Sequence, residues 1–73
     1  MSNREDQMKT LENKILTSID PYEIRTLVTA LEEYGHEALP VMFEILRLTG
    51  NPDVKTITSN SIKNMKQRWP EPM

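Results

Sequence analysis

The feature that most constrains this chain is a pair of Asx-Pro dipeptides, Asp20-Pro21 and Asn51-Pro52, set thirty-one residues apart. Aspartate and asparagine are good N-caps, and proline is accepted at the first helical position because the N–H it lacks would have no partner there. Proline also ends a helix that reaches it from the preceding turn. Each dipeptide therefore predicts the end of one helix and the start of the next.

Apolar residues recur at intervals of three and four, and the period-two alternation typical of a strand is absent. The spacing predicts an all-α fold with helices over 3–18, over 21–34, from His36 or Glu37 to Thr49, and from Pro52 to Trp69. Gly35 and Gly50 are expected to end the second and third helices as left-handed C-caps. The fourth helix is the weakest of these predictions, because its middle, TITSNS, is rich in poor helix formers.

The third helix is expected to lie at the centre of the domain, because its apolar residues form two adjacent stripes. It also contains Pro40. A proline in the interior of a helix costs about 3 kcal/mol, whereas one in the first turn costs far less. Since Gly35 ends the preceding helix, Pro40 falls near the first turn of the third, and a Pro40→Ala variant is expected to fold normally.

The two halves of the chain repeat one pattern. A shift of thirty residues pairs Met8 with Ala38 and Ile15 with Ile45, and a shift of thirty-one pairs the two Asx-Pro prolines. Periods of this length are typical of stacked supersecondary units. We therefore expect one domain over 1–73 built from two stacked antiparallel helical hairpins. Repeat 1 is placed at about 3–34, repeat 2 at about 36–69, and a short tail at 70–73.

The middle of the chain resembles HEAT-like repeats, especially the short type of bilin-lyase-related proteins. The matching elements follow one another in order: Asp20-Pro21, Ile24-Arg25, Ala30-Leu31, Gly35, and Ala38-Leu39-Pro40. The resemblance covers roughly residues 8–69 and implies an α-solenoid fragment of four helices. It departs in the first helix, which has no Ala-Leu-Pro, and in the fourth, where TITSNS replaces an alanine-rich stretch. An ordinary bundle of three or four helices is the alternative.

Composition gives no support for an enzyme. The chain has one histidine, His36, and two glycines that both look like helix ends, so neither a catalytic constellation nor a phosphate-binding loop can be identified. No cofactor or metal site is expected. The absence of cysteine, of a signal-like N-terminus and of a long apolar run favours a cytoplasmic protein without a membrane span.

The function that the sequence favours is a protein-interaction module, acting as a scaffold, an adaptor or a regulatory subunit. Two repeats leave an apolar face that a third would cover. A partner protein, or a second copy in a homodimer, is expected to bind the apolar stripe of the fourth helix. The predicted contact residues are Val54, Ile57, Ile62, Met65 and Trp69.

The alternative is a nucleic-acid-binding domain that uses the basic fourth helix. Residues 1–50 contain nine acidic and five basic side chains, whereas residues 51–69 contain one acidic and four basic ones. The possible anion contacts are Lys55, Lys63, Lys66 and Arg68. Four cations beside an acidic remainder fall short of the usual basic footprint, so nucleic acid is the less favoured partner.

Overall fold

The two Asx-Pro dipeptides open helices, as the sequence predicts. The computed structural model describes residues 3–68, which fold into four α-helices and one short 3-10 helix. These elements are α1 (Asn3–Thr17), α2 (Pro21–Glu32), the 3-10 helix (Gly35–Ala38), α3 (Leu39–Leu48) and α4 (Pro52–Arg68). The predicted all-α class is confirmed, and residues 3–68 contain no strand. Trp69 and the tail at 70–73 lie outside the described residues.

Both helix starts use the same side-chain cap. The Asp20 carboxylate accepts a hydrogen bond from the Tyr22 amide at 3.0 Å. The Asn51 amide oxygen accepts one from the Asp53 amide at 2.8 Å. Each bond satisfies one of the amides that the first turn of a helix leaves without an intrahelical partner.

A hydroxyl two residues before each cap completes the turn. The Ser18 hydroxyl accepts from the Asp20 amide at 3.3 Å and donates to the Glu23 carboxylate at 2.6 Å. The Thr49 hydroxyl accepts from the Asn51 amide at 3.1 Å. Ser18 therefore links the cap of α2 to its first turn, which is the task that the glutamate of a capping box performs directly.

The junction between α2 and α3 confirms two predictions and shifts one boundary. Gly35 has a φ of 69°, the left-handed conformation expected of a glycine after a helix. The chain then forms the 3-10 helix, so α3 begins at Leu39 instead of His36 or Glu37. Pro40 consequently sits in the first turn of α3, where its missing N–H breaks no internal hydrogen bond.

The end of α3 differs from the prediction. Gly50 does not adopt a positive φ. The helix ends because Thr49 takes an extended conformation, with φ −77° and ψ 141°. Extended backbone at Thr49 places its hydroxyl against the Asn51 amide, and the following turn then needs no left-handed residue.

The fourth helix runs unbroken through TITSNS despite the weak helix formers there. Thr58 and Ser61 face the interior and are almost fully buried. Tertiary packing of this inner side outweighs the low intrinsic propensity, as it often does in proteins.

Contacts between the helices define two stacked hairpins. In the first hairpin α1 packs against α2, and in the second α3 packs against α4; α1 also packs on α3, and α2 on α4. Lys9 of α1 pairs with Glu44 of α3 at 3.4 Å, while Arg4, nearer the start of α1, pairs with Glu37 just before α3. Helices α1 and α3 therefore run parallel, and the second hairpin is stacked on the first in the same orientation.

Buried positions repeat at an interval of thirty residues. The pairs in α1 and α3 are Met8 and Ala38, Glu12 and Met42, and Ile15 and Ile45. Those in α2 and α4 are Ile24 and Val54, Val28 and Thr58, and Leu31 and Ser61. The thirty-residue pattern of the sequence is thus a repeat in packing as well as in residue type.

The third helix is less enclosed than expected. Phe43 is 48% exposed and Leu48 is 55% exposed, although Leu39, Met42 and Ile45 are buried. The reason is that α1 and α4 cover only part of its surface, and the Phe43 ring stays half exposed beside the Lys66 side chain of α4. The apolar surface of α3 is therefore partly exposed.

Candidate functional site

The apolar stripe of α4, predicted to bind a partner, lies mostly inside the protein. Val54, Ile62 and Met65 are at most 6% exposed and belong to the hydrophobic core. Ile57 is partly buried beside that core, and Trp69 lies outside the described residues. A partner cannot reach the three core side chains without opening the fold. The structure corrects this part of the prediction, because the stripe packs α4 onto α2 and α3.

The basic residues of α4 do not form one surface. The Lys66 ammonium lies 5.7 Å from the centre of the Phe43 ring, on the side of α4 that faces α3. The Arg68 guanidinium lies 3.4 Å from the Glu32 carboxylate, on the side that faces α2. Only Lys55 and Lys63, both exposed, share the sector of Lys66 on the helix. The predicted set of four anion contacts is therefore divided between two sides.

Between α2 and α4 there is a shallow polar groove of about 280 Å³. Its lining includes Arg25, Thr29, Ile57 and Asn60. Inside it the Ser61 hydroxyl donates to the Glu32 carboxylate at 2.5 Å, which fixes the two helices side by side. The walls of this groove are largely engaged in contacts between the two hairpins. It therefore offers little apolar area to a partner.

A larger and more apolar groove lies on the first hairpin, on the side away from the second. It has a volume of about 600 Å³ and runs between α1 and α2. Leu11, Ala30 and Tyr34 form its partly buried floor, and polar side chains that include Asp6 and Glu33 form its rim. An apolar groove with a polar rim is the usual form of a protein-binding or ligand-binding surface.

One end of this groove is held by a small set of polar contacts. The Tyr34 hydroxyl donates to the Gln7 side chain at 2.5 Å, which ties the turn that follows α2 to α1. The Arg4 guanidinium lies 5.3 Å from the centre of the Tyr34 ring and its Nε donates to Glu37 at 2.8 Å. These groups are exposed, so their ion pairing adds at most about 1 kcal/mol to stability. Their main effect is to fix the position of the Tyr34 ring.

We define the free face of the first hairpin as the surface that includes this groove and the adjoining turn of α2. Leu27 belongs to it because it lines a second groove between α1 and α2, nearer the hairpin turn. The residues of the free face are Gln7, Leu11, Leu27, Ala30 and Tyr34.

A carboxylate interrupts the contact between α1 and α3. Glu12 is 2% exposed, and one of its oxygens accepts from the Lys9 ammonium at 3.2 Å. No amide, hydroxyl or ammonium group among the described residues donates to its other oxygen, Oε2. Burial raises the pKa of Glu12 above its ordinary value of 4.5, and the Glu44 carboxylate, which can accept a hydrogen bond from the protonated form of Glu12, raises it further. The same hydrogen bond from Glu12, followed by that from the Lys9 ammonium, lowers the pKa of Glu44.

Three other features of the described residues bear on function: possible metal ligands, the surroundings of His36, and the length of the helices. Within residues 3–68 no three His, Asp or Glu side chains come together as a metal site. His36 lies in the 3-10 helix, and its neighbours Glu32 and Glu37 are engaged with Arg68 and Arg4. None of the described helices has the length and apolar character needed to cross a bilayer.

Comparison with models of protein families, with curated proteins and with solved structures finds no match to this chain. The identification of the free face of the first hairpin as a candidate site therefore depends on geometry alone. Sequence reasoning does not reveal it, because Leu27 and Tyr34 follow the same helical spacing as Ile24, Val28 and Leu31. The available signal was the width of the stripe that these residues form, because a stripe so broad cannot be covered by one neighbouring helix.

Proposed function

We propose that this protein is a cytoplasmic protein-interaction module, a scaffold, an adaptor or a regulatory subunit, and that it binds its partner through the free face of the first hairpin. A HEAT-like relationship is part of the proposal. It is supported by the parallel stacking of the two hairpins and by the thirty-residue repeat of buried positions. The proposed binding surface replaces the stripe of α4, whose core position leaves it no free area.

One observation supports the choice of this face. The free face occupies positions that, one repeat later, make the contact between the hairpins. Residues thirty positions after Gln7, Leu11, Leu27, Ala30 and Tyr34 are Glu37, Val41, Ile57, Asn60 and Asn64.

Four of these five later residues lie at the junction of the hairpins. Glu37 pairs with Arg4 of α1. Ile57, Asn60 and Asn64 line the groove between α4 and α2, and Val41 is partly buried against the core. In the first hairpin the same positions have no helix of another hairpin against them within residues 3–68. The free face of the first hairpin therefore has the form of a surface that packs against a helical hairpin, and no such hairpin packs on it within residues 3–68.

The residue types on the free face fit this role. Leu11, Leu27, Ala30 and Tyr34 give it an apolar centre, whereas the equivalent positions in the second hairpin are partly polar. Covering apolar area stabilises a complex by about 25 cal/mol per Å² before the costs of association. Tyr34 supplies a ring held in place by Gln7 and Arg4, and tyrosines of this kind are common at binding hot spots.

Site-specific photo-cross-linking tests the proposal. A benzoylphenylalanine at Thr10, on the rim of the groove, is expected to give discrete protein adducts in an extract of the native host. The same group at Thr56, an exposed position of α4 outside the free face, is the control. Adding Ala30→Arg to the Thr10 probe should remove the adducts, because the long side chain fills the groove. Equal adducts at both probe positions, or adducts that survive Ala30→Arg, would contradict the proposal.

A further inference from the structure

We propose that the partner that covers the free face of the first hairpin is a second copy of this chain, stacked head to tail through its second hairpin. The inference rests on the proposed function and names the partner of that same surface. It follows from the repeat: the contact between the two hairpins inside one chain has an equivalent between the end of one chain and the beginning of the next.

The contact between the two hairpins within one chain supplies the pattern for the proposed contact between two chains. On the first hairpin it uses Lys9, Arg25, Thr29 and Glu32, which pair with α3 or line the groove against α4. The residues thirty positions later are Leu39, Lys55, Ser59 and Ile62. Lys55 and Ser59 are exposed, whereas Leu39 and Ile62 are buried beneath them in the core. We define Lys55 and Ser59, with the neighbouring pair Phe43 and Lys66, as the free face of the second hairpin.

The two free faces are the two halves of one contact. Inside the chain, the second hairpin contacts the first through residues whose equivalents, thirty positions earlier, form the free face of the first hairpin. The first hairpin contacts the second through residues whose equivalents, thirty positions later, lie on the free face of the second hairpin. Thr29 and Asn60 line one groove within the chain. Their equivalents between two copies are Ser59 of one copy and Ala30 of the other.

Charge and polarity at the two faces are complementary. The rim of the groove on the first hairpin includes Asp6 and Glu33, and its basic member, Arg4, is paired with Glu37. The free face of the second hairpin has Lys55 and Lys66, and Lys66 lies over Phe43, which is 48% exposed. The exposed Phe43 ring can thus meet the apolar centre of the first face while acidic groups meet basic ones. The same sign difference exists at the level of the chain, acidic in residues 1–50 and basic in 51–69.

Contacts between two different faces have a distinctive consequence. A contact that is not self-complementary leaves one free face at each end of every complex, so copies add without a fixed limit unless the rotation closes a ring. Stacked repeats also gain stability from neighbours, and two repeats have only one internal neighbour contact. We therefore expect weak, concentration-dependent stacking and not a symmetric dimer.

Cysteine cross-linking tests the arrangement directly, because the natural chain has no cysteine. Ser59→Cys and Ala30→Cys are small changes at positions that the stacked arrangement brings together. At about 100 μM protein, a short bis-maleimide should give at least about tenfold more dimer in the mixture of the two variants than in either alone, since contact raises the local thiol concentration. Thr56→Cys mixed with Ala30→Cys is the matched control. The double variant, which combines Ala30→Cys with Ser59→Cys in one chain, should give a ladder of products.

Sedimentation of the natural chain completes the test. The average mass should rise past that of a dimer as the concentration increases towards about 1 mM, the range of weak interfaces. A monomer at every concentration would overturn the inference. So would a dimer that grows no further, or cross-linking of Ser59→Cys or Ala30→Cys alone as strong as that of the mixture. If these results occur while the Thr10 probe still gives groove-dependent adducts with another protein, only the second-copy inference fails and the proposed function stands.

Discussion

At the scale of single residues, the interior contains three polar side chains at positions where the other repeat has an apolar one. Ser61 is one of them, and its hydroxyl donates to Glu32; the other two lack a full set of partners. Thr58 is fully buried at the position equivalent to Val28, and its hydroxyl has no hydrogen-bond partner among the described residues. Glu12 is buried at the position equivalent to Met42. A buried polar group without a partner costs about 1–3 kcal/mol, which is a large share of the stability of so small a domain.

The first prediction concerns Thr58. Thr58→Val keeps the shape of the side chain and removes the unpaired hydroxyl, so the free energy of unfolding should rise by about 1 kcal/mol. Urea denaturation followed by circular dichroism measures it. Thr56→Val, at an exposed position of the same helix, should change stability by less than about 0.5 kcal/mol. A loss of stability in Thr58→Val would mean that the hydroxyl has a partner after all.

The second prediction concerns the pH dependence that Glu12 causes. Because its pKa is raised in the folded state, Glu12 contributes stability below the ordinary value of 4.5, and this contribution is lost as the pH rises through the folded pKa. Glu44 acts in the opposite sense, since its lowered pKa adds stability above its ordinary value. It is more exposed, however, so solvent screens its effect.

Glu12→Gln isolates this effect, since the amide has no proton to lose and can still donate to Glu44. Relative to the natural chain, the variant should gain stability between about pH 4 and pH 7. Urea denaturation of both proteins at the two pH values measures the difference. A difference that does not change with pH would show that Glu12 titrates with its ordinary pKa.

At the scale of helices, most of the fold could be predicted because chain-local signals determine it. The Asx-Pro dipeptides, Gly35 and the spacing of apolar residues gave the four helices to within a few residues. The exceptions depended on contacts that are distant in sequence or specific to one side chain. TITSNS forms helix because Thr58 and Ser61 pack inward, and α3 ends at Thr49 through a side-chain contact that no propensity describes.

The third prediction belongs to the two helix caps. Asp20→Ala and Asn51→Ala should each lower the free energy of unfolding by about 1 kcal/mol, because each leaves an amide of the first helical turn without its side-chain acceptor. The exchanges Asp20→Asn and Asn51→Asp retain an acceptor and should stay within a few tenths of the natural value. Thermal denaturation distinguishes the two sets. An exchange variant as unstable as the alanine variant would contradict the assigned role of the cap.

At the scale of the whole molecule, the sequence predicted stacked hairpins but not which surfaces the stacking leaves open. Both α2 and α4 have broad apolar stripes, and nothing local says which part of a stripe a neighbour covers. Val54, Ile62 and Met65 were expected to bind a partner, yet they are core, whereas Leu27 and Tyr34 lie on the free face. That distinction requires the relative placement of two hairpins, which is a property of the assembled fold.

The last prediction tests whether the two hairpins depend on each other. Residues Ile15, Ile24, Ile45 and Val54 form one core shared by both hairpins, and a hairpin by itself would expose its share of that core. Short isolated helices are only marginally stable in water. Fragments 1–34 and 35–73 should therefore be largely unfolded alone and become helical at a ratio of one to one when mixed, as measured by circular dichroism. Fragment 35–73 with Ile45→Asp is the control and should not complement. If either natural fragment is folded as a monomer, its hairpin is stable without its neighbour, and the stability of the domain does not depend on stacking.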